Sequence, residues 1–167
     1  MAYCRSGSRP ARCRGSGDSS RKDSSGQRAA GGKGWDSFAF EAGVSVSVTD
    51  DVATALRAMK PSVALYVGGM GHPTLNFHKR AMEQQGYGDA AARIEELFRA
   101  GRKEEAADAV PDEFVDEHAL VGSPARIRQR YQPWADCGVT ALHIGTRQEA
   151  AIELMADIAG VSQLPAG

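Results

Sequence analysis

Two segments of this chain carry the pattern of a β-strand, and about 90 residues of mostly helix-forming sequence separate them. In the first, Val44, Val46 and Val48 alternate with Ser45 and Ser47, the period-two arrangement of a half-buried strand. The second is the apolar run Val139 to Ile144. Two parallel strands do not make a stable sheet alone, because their backbone edges and apolar faces need partners. Something that completes the sheet is missing from the pattern.

The stretch between the strands reads as a series of helices. Asp50 or Asp51 caps a helix over Val52 to Tyr66, in which Pro61 removes a backbone donor and is expected to kink or divide it near Lys60. Gly68, Gly69 and Gly71, with His72 and Pro73, read as a helix stop followed by turn residues. Helices are expected over Asn76 to Gln85, over Asp89 to Ala100 with Gly101 closing it, and over Lys103 to Ala109. Asp112 then caps a short turn carrying Phe114 and Val115. Ser123 before Pro124 is a helix start, serine as N-cap and proline at the first helical position, where its missing N–H costs nothing. Ile127, Tyr131 and Trp134 share the face of that helix, and Pro133 is expected to distort its last turn before Gly138. A closing amphipathic helix over Gln148 to Ala159 turns Ala151, Leu154, Met155 and Ile158 inward.

The first 34 residues differ from the rest. They hold eight Arg or Lys against two Asp, with seven Gly and seven Ser, whereas the remainder holds 12 basic against 19 acidic residues. Almost nothing in the tail can be buried, so residues 1–34 are expected to be a disordered basic segment and residues 35–167 an acidic folded body. The tail lacks the apolar run of a secretory signal, and no stretch reaches the roughly 20 apolar residues of a membrane span. Cys4, Cys13 and Cys137 form neither a disulfide framework nor paired CxxC motifs, which points to a reduced, cytoplasmic compartment; Cys137 reads as a small buried side chain.

The motifs ALYVGGMG with NF after it, the Gly86–Gly88 turn around Tyr87, AVPDEFVDE, the LVGSPARIR helix start and the CGVTAL strand follow one another in a specific order and spacing. Together they closely resemble the C-terminal third of the luciferase-like monooxygenase family, and within it the oxidoreductases that use the deazaflavin coenzyme F420. The resemblance covers about residues 36–160 and stops short of the tail. It implies an α/β fold, the C-terminal portion of a (β/α)8 barrel with about two strands and a helix-rich crossover. Val44 to Val48 would be the seventh strand and Val139 to Ile144 the eighth. A full barrel takes about 250 residues, so this chain of 167 is expected to be a C-terminal fragment that is inactive in isolation.

Such barrels build their chemistry at the C-terminal ends of the strands. The resemblance therefore implies Ser47, Thr49, Gly145 and Thr146 as cofactor-binding candidates, with coenzyme F420 as the cofactor and FMN as the alternative. If the valines of the first strand face the outer helices, Ser45 and Ser47 point into the barrel, where a hydroxyl can bond a cofactor or substrate oxygen or simply satisfy neighbouring backbone groups. His143 could face either way and has no identified carboxylate partner. Asn76 and Phe77 lie in the stretch resembling the family's NF motif and are candidates for the substrate entrance; capping and packing explain them equally well. The glycines at 68, 69 and 71 follow a helix instead of opening one, so a phosphate cradle is disfavoured against a helix stop. Asp112, Glu113, Asp116 and Glu117 around His118 read as a solvated acidic face, and no metal is expected.

Three function classes follow. The first is an oxidoreductase that transfers hydride between reduced coenzyme F420 and a small organic substrate, or a flavin-linked monooxygenase, with weak or absent cofactor binding by the chain alone. The second is a non-catalytic helical interaction module derived from that family, able to self-associate through exposed helical faces. The third, nucleic-acid binding through the tail, is disfavoured because Tyr3 is its only aromatic residue and the body is acidic.

Overall fold

The computed structural model describes residues 41–70, 75–136 and 139–161. The basic tail, Trp35, the turn residues Gly71, His72 and Pro73, and the Cys137–Gly138 pair lie outside the described residues. In chain order the described residues form β1 (Glu41–Val48), α1 (Val52–Ala64) running on into a π-helical turn (Leu65–Gly69), α2 (Phe77–Gln84), α3 (Gly88–Arg99), α4 (Lys103–Asp108) and α5 (Asp112–Glu117). They continue as β2 (Ala119–Gly122), α6 (Pro124–Asp136), β3 (Ala141–Gly145) and α7 (Glu149–Ala159). These elements fall into two compact units: residues up to Asp50 together with those from His118 onward, and Asp51–Glu117.

The first unit is a three-stranded, fully parallel sheet in the order β2-β1-β3. Side chains of β1 alternate: Ala42, Val44 and Val46 are buried, while Glu41, Gly43 and Ser45 are exposed. The buried set packs with Leu120 of β2, Ile127 and Trp134 of α6, and Ala151, Leu154 and Met155 of α7. Both helices thus cover the same face of the sheet, as their apolar spacing requires. Alternation puts Ser45 and Ser47 on the opposite face, and the register sets Ser45 beside Gly145 and Gly43 beside His143 there. α6 continues three residues past Pro133 to Asp136, and α7 ends on Gly160, whose φ of 70° lets the N–H of Val161 reach the carbonyl of Ala156 at 2.9 Å.

The third strand corrects the expected count of two, while the two strands read from the sequence, β1 and β3, are paired neighbours in the sheet. Ala119–Gly122 lies between β1 and β3 in sequence and pairs with β1 from Ser45↔Ala119 to Val48↔Gly122. Its four residues are all buried. A strand covered on both faces has no alternation to display, and one this short is hidden against the helix start at Ser123.

The second unit is helical. Asp51 accepts the N–H of Thr54 at 3.0 Å and caps α1, which is not divided at Lys60: the helix runs through Pro61 to Ala64 and then loosens into the π-helical turn. Gly68 and Gly69 sit within that turn, and close approach explains them better than a cap does. A Cβ on Gly68 would stand 2.5 Å from Phe98 Cβ and 3.0 Å from the carbonyl of Ile94, and one on Gly69 would meet the Phe98 ring. Ile94, Leu97, Met82, Val110 and Phe114 form the buried side of this unit. The edge of Tyr87 stacks on Phe114 with centroids 5.3 Å apart. Lys60 of α1 pairs with Asp112 of α5 at 2.6 Å, and Glu95 of α3 holds both Lys79 of α2 and Arg99, the latter at 2.6 Å. No helix among the described residues is long and apolar enough to cross a membrane.

Candidate functional site at the strand ends

Parallel strands end together, and in the first unit those ends carry a cluster of hydroxyls. β1 finishes at Val48, opposite Gly122, the last residue of β2; the N–H of Thr49 donates to the Gly122 carbonyl at 3.1 Å, so pairing continues one step beyond the strand. β3 stops earlier, with Gly145 opposite Ser45. The loop Thr146–Gln148 then runs beside the rest of β1. There the Gln148 side chain takes the place of a strand: its Oε1 accepts the Val48 N–H at 2.8 Å, and its Nε2 donates to the Val48 carbonyl at 3.4 Å. Thr146 Oγ1 in turn accepts the N–H of Gln148 at 3.2 Å.

Of the residues singled out from the sequence, Ser47, Thr49, Gly145 and Thr146 therefore occupy one end of one sheet. Ser47 and Thr49 are half-buried, Thr146 is half-buried and Gly145 exposed. α6 and α7 both start at this end, directing their first amides the same way. Ser123 Oγ accepts the N–H of Arg126 at 3.3 Å, the cap read from the sequence, and the Arg126 guanidinium donates to the Val121 carbonyl. Arg147 is exposed in the loop, as are Asp50 and Glu149. The donor set is thus mainly neutral hydroxyls and amides, suited to the carbonyl, hydroxyl and phosphate oxygens of a polar cofactor. Sequence reasoning missed Gln148, and no local signal marks it, because the peptide it binds lies 100 positions away.

His143 faces away from the helices and has a carboxylate partner: its Nε2 lies 2.8 Å from Glu41 Oε2. The pair sits on the open face, two residues before Gly145 along β3, and both side chains are largely exposed.

Asn76 and Phe77 belong to the helical unit. Asn76 is buried at 7% exposure, accepts the Lys79 N–H at 3.0 Å as the cap of α2, and donates to the Val67 carbonyl at 2.6 Å and the Tyr66 carbonyl at 3.4 Å. Its amide is occupied within the fold. Phe77, at 57% exposure, stands free of the core with its ring edge-on to His78, centroids 5.6 Å apart. The ring of His78 also lies against Tyr66, tilted, with centroids 4.8 Å apart, and burial lowers its pKa. Leu65, Met70 and Leu75 are exposed close by in the chain.

The family model for luciferase-like monooxygenases matches residues 20–141, beginning inside the segment that composition sets apart. A Mycobacterium tuberculosis protein assigned as a coenzyme F420-dependent oxidoreductase is 41% identical over 105 residues, which are 63% of this chain and 30% of that protein. Among solved structures, the coenzyme F420-dependent tetrahydromethanopterin reductase of Methanopyrus kandleri superposes with a TM-score of 0.58 at 23% identity, covering 76% of this chain and 36% of the reductase. That likeness bears on fold. The chain thus spans about a third of the length of these relatives. With well over half of its residues matched by the family model, the chain belongs to the luciferase-like monooxygenase family.

Proposed function

We propose that this chain supplies the C-terminal portion of a (β/α)8 barrel in an F420-dependent oxidoreductase that moves hydride between the reduced cofactor and a small organic substrate. The observation that carries the reading is the gathering of Ser47, Thr49 and Thr146 at the C-terminal end of a parallel sheet, where barrels of this kind place their chemistry. The 41% identity to an F420-dependent relative supports the choice of cofactor.

When bound, the deazaflavin supplies the hydride chemistry; the protein supplies orientation and electrostatics. The hydroxyls of Ser47 and Thr49 offer hydrogen bonds from the open face of β1, and Thr146 does so from the loop after β3, with Gly145 giving the cofactor access to the backbone. Asn76 holds the start of α2, and Phe77 presents an apolar surface to an organic substrate. The His143–Glu41 pair lies lower on the same face as Ser45 and Ser47.

A site drawn from three strands gives only part of a cofactor pocket. Fluorescence titration of the full chain with coenzyme F420 should therefore show weak binding, lowered a further roughly fivefold by Thr146→Val, the equivalent of one lost hydrogen bond. Tight binding by the isolated chain, or preference for FMN in a parallel titration, would contradict the reading. A second role, self-association, draws on the exposure of Leu75 (70%) and Phe77 (57%) in the helical unit. Sedimentation of the wild type against Phe77→Ser measures it: association that weakens in the variant supports the role, and a monomer at all concentrations removes it.

A further inference from the structure

We propose that Gln148 is a positioning residue for the strand-end site, acting as the missing rung between β1 and β3; this rests on the cofactor reading above. β3 runs out opposite Ser45, so the last three residues of β1 have no strand on that side. In a parallel ladder the N–H and C=O of one residue point to the same neighbour. Val48 points toward the β3 side, and both of its backbone groups are taken by one carboxamide, Oε1 at 2.8 Å and Nε2 at 3.4 Å. Thr49 points the other way, to Gly122 at 3.1 Å.

The two attachments hold successive residues, Val48 and Thr49, from opposite sides. Ser47 and Thr49, the residues flanking Val48, therefore have their backbone direction fixed from both edges of the strand, and their hydroxyls with it. Thr146 Oγ1 accepts the backbone N–H of Gln148 at 3.2 Å, which ties the third hydroxyl of the cluster to the main chain of the same residue. A carboxamide suits the position because it is donor and acceptor at once; a carboxylate accepts only, and a thioether of similar length does neither.

The test uses the full chain and its Gln148→Met and Gln148→Glu variants, followed by backbone NMR. Two readouts are taken: hydrogen exchange of the Val48 amide, and the shifts of the Ser47 and Thr49 amides as coenzyme F420 is added. Gln148→Met should speed Val48 exchange by roughly fivefold or more and weaken cofactor affinity by about threefold or more, as expected for loss of a modest hydrogen bond. Gln148→Glu, which keeps the acceptor, should leave Val48 protected and lose affinity by a smaller factor than Gln148→Met; it carries the test by itself if the methionine variant does not fold, with unchanged or improved affinity then overturning the proposal. Faster Val48 exchange in Gln148→Met with unchanged affinity reduces the contact to a structural one and also overturns it. If the wild-type Ser47 and Thr49 amides do not respond to coenzyme F420 at all, the cofactor reading fails and takes the proposal with it.

Discussion

Asn76 carries three hydrogen bonds on one buried side chain, as cap of α2 and as donor to two carbonyls of the π-helical turn. Asn76→Asp keeps the cap and loses the donors, leaving the Val67 carbonyl facing a carboxylate. We expect it to destabilise by about 1–3 kcal/mol in urea melts, with Asn76→Ala at least as damaging since the cap goes too. The capping role is legible from the sequence, because an asparagine before an amphipathic run signals a helix start. The bonds to Tyr66 and Val67 are not, since they depend on how the chain returns after the turn. Gly68 shows the same limit. Read locally, a glycine pair after a helix means a stop; in the fold it means room for Phe98, some thirty positions on. Gly69→Ala should therefore cost about 1–3 kcal/mol, because its Cβ would meet the Phe98 ring, and combining it with Phe98→Ala, which removes that ring, should cost less than the sum of the single changes, a coupling that a double-mutant cycle reads directly.

Between elements, the contact most exposed to pH is the one binding α2 to α3. Glu95 is held below its ordinary 4.5 first by the hydrogen bond from Lys79, with the charges of Lys79 and Arg99 acting in the same direction against the cost of burial. A depressed carboxyl contributes stability above its unfolded pKa and loses that contribution as pH falls through the folded value. The stability of the wild type should therefore decline more steeply below about pH 4.5 than that of Glu95→Gln, followed by thermal melts across the acid range. The helices of this unit were legible because each repeats its apolar positions on one face and ends in a recognisable cap, as Gly101 shows at φ 79° after α3. The strand Ala119–Gly122 was hidden by its brevity and its burial on both faces. Its presence alters the sheet more than any helix boundary does, because it makes β1 the central strand and gives Ser47 and Thr49 a strand neighbour on one side. Val121 is fully buried and faces the same side as Ser47. Val121→Asp should unfold the sheet or cost more than about 3 kcal/mol, since it buries a charge without a partner.

For the molecule as a whole, the motif order was enough to identify the family, and the residues chosen from barrel logic came out together at one sheet end. What the sequence did not disclose was the means of holding them, because Gln148 reaches its partner only after the chain has folded back across 100 positions. The division into a sheet unit and a helical unit separates the two kinds of candidate: the proposed cofactor residues in the sheet unit, and Phe77 in the helical unit. The chain spans about a third of its relatives, and in the proposed reading it contributes hydrogen-bonding groups at three strand ends. The most direct test is an amide-shift map of the full chain titrated with coenzyme F420. The account predicts that the largest changes fall at Ser47, Thr49, Gly145 and Thr146; changes confined to the helices of 51–117, with these four unmoved, would contradict it.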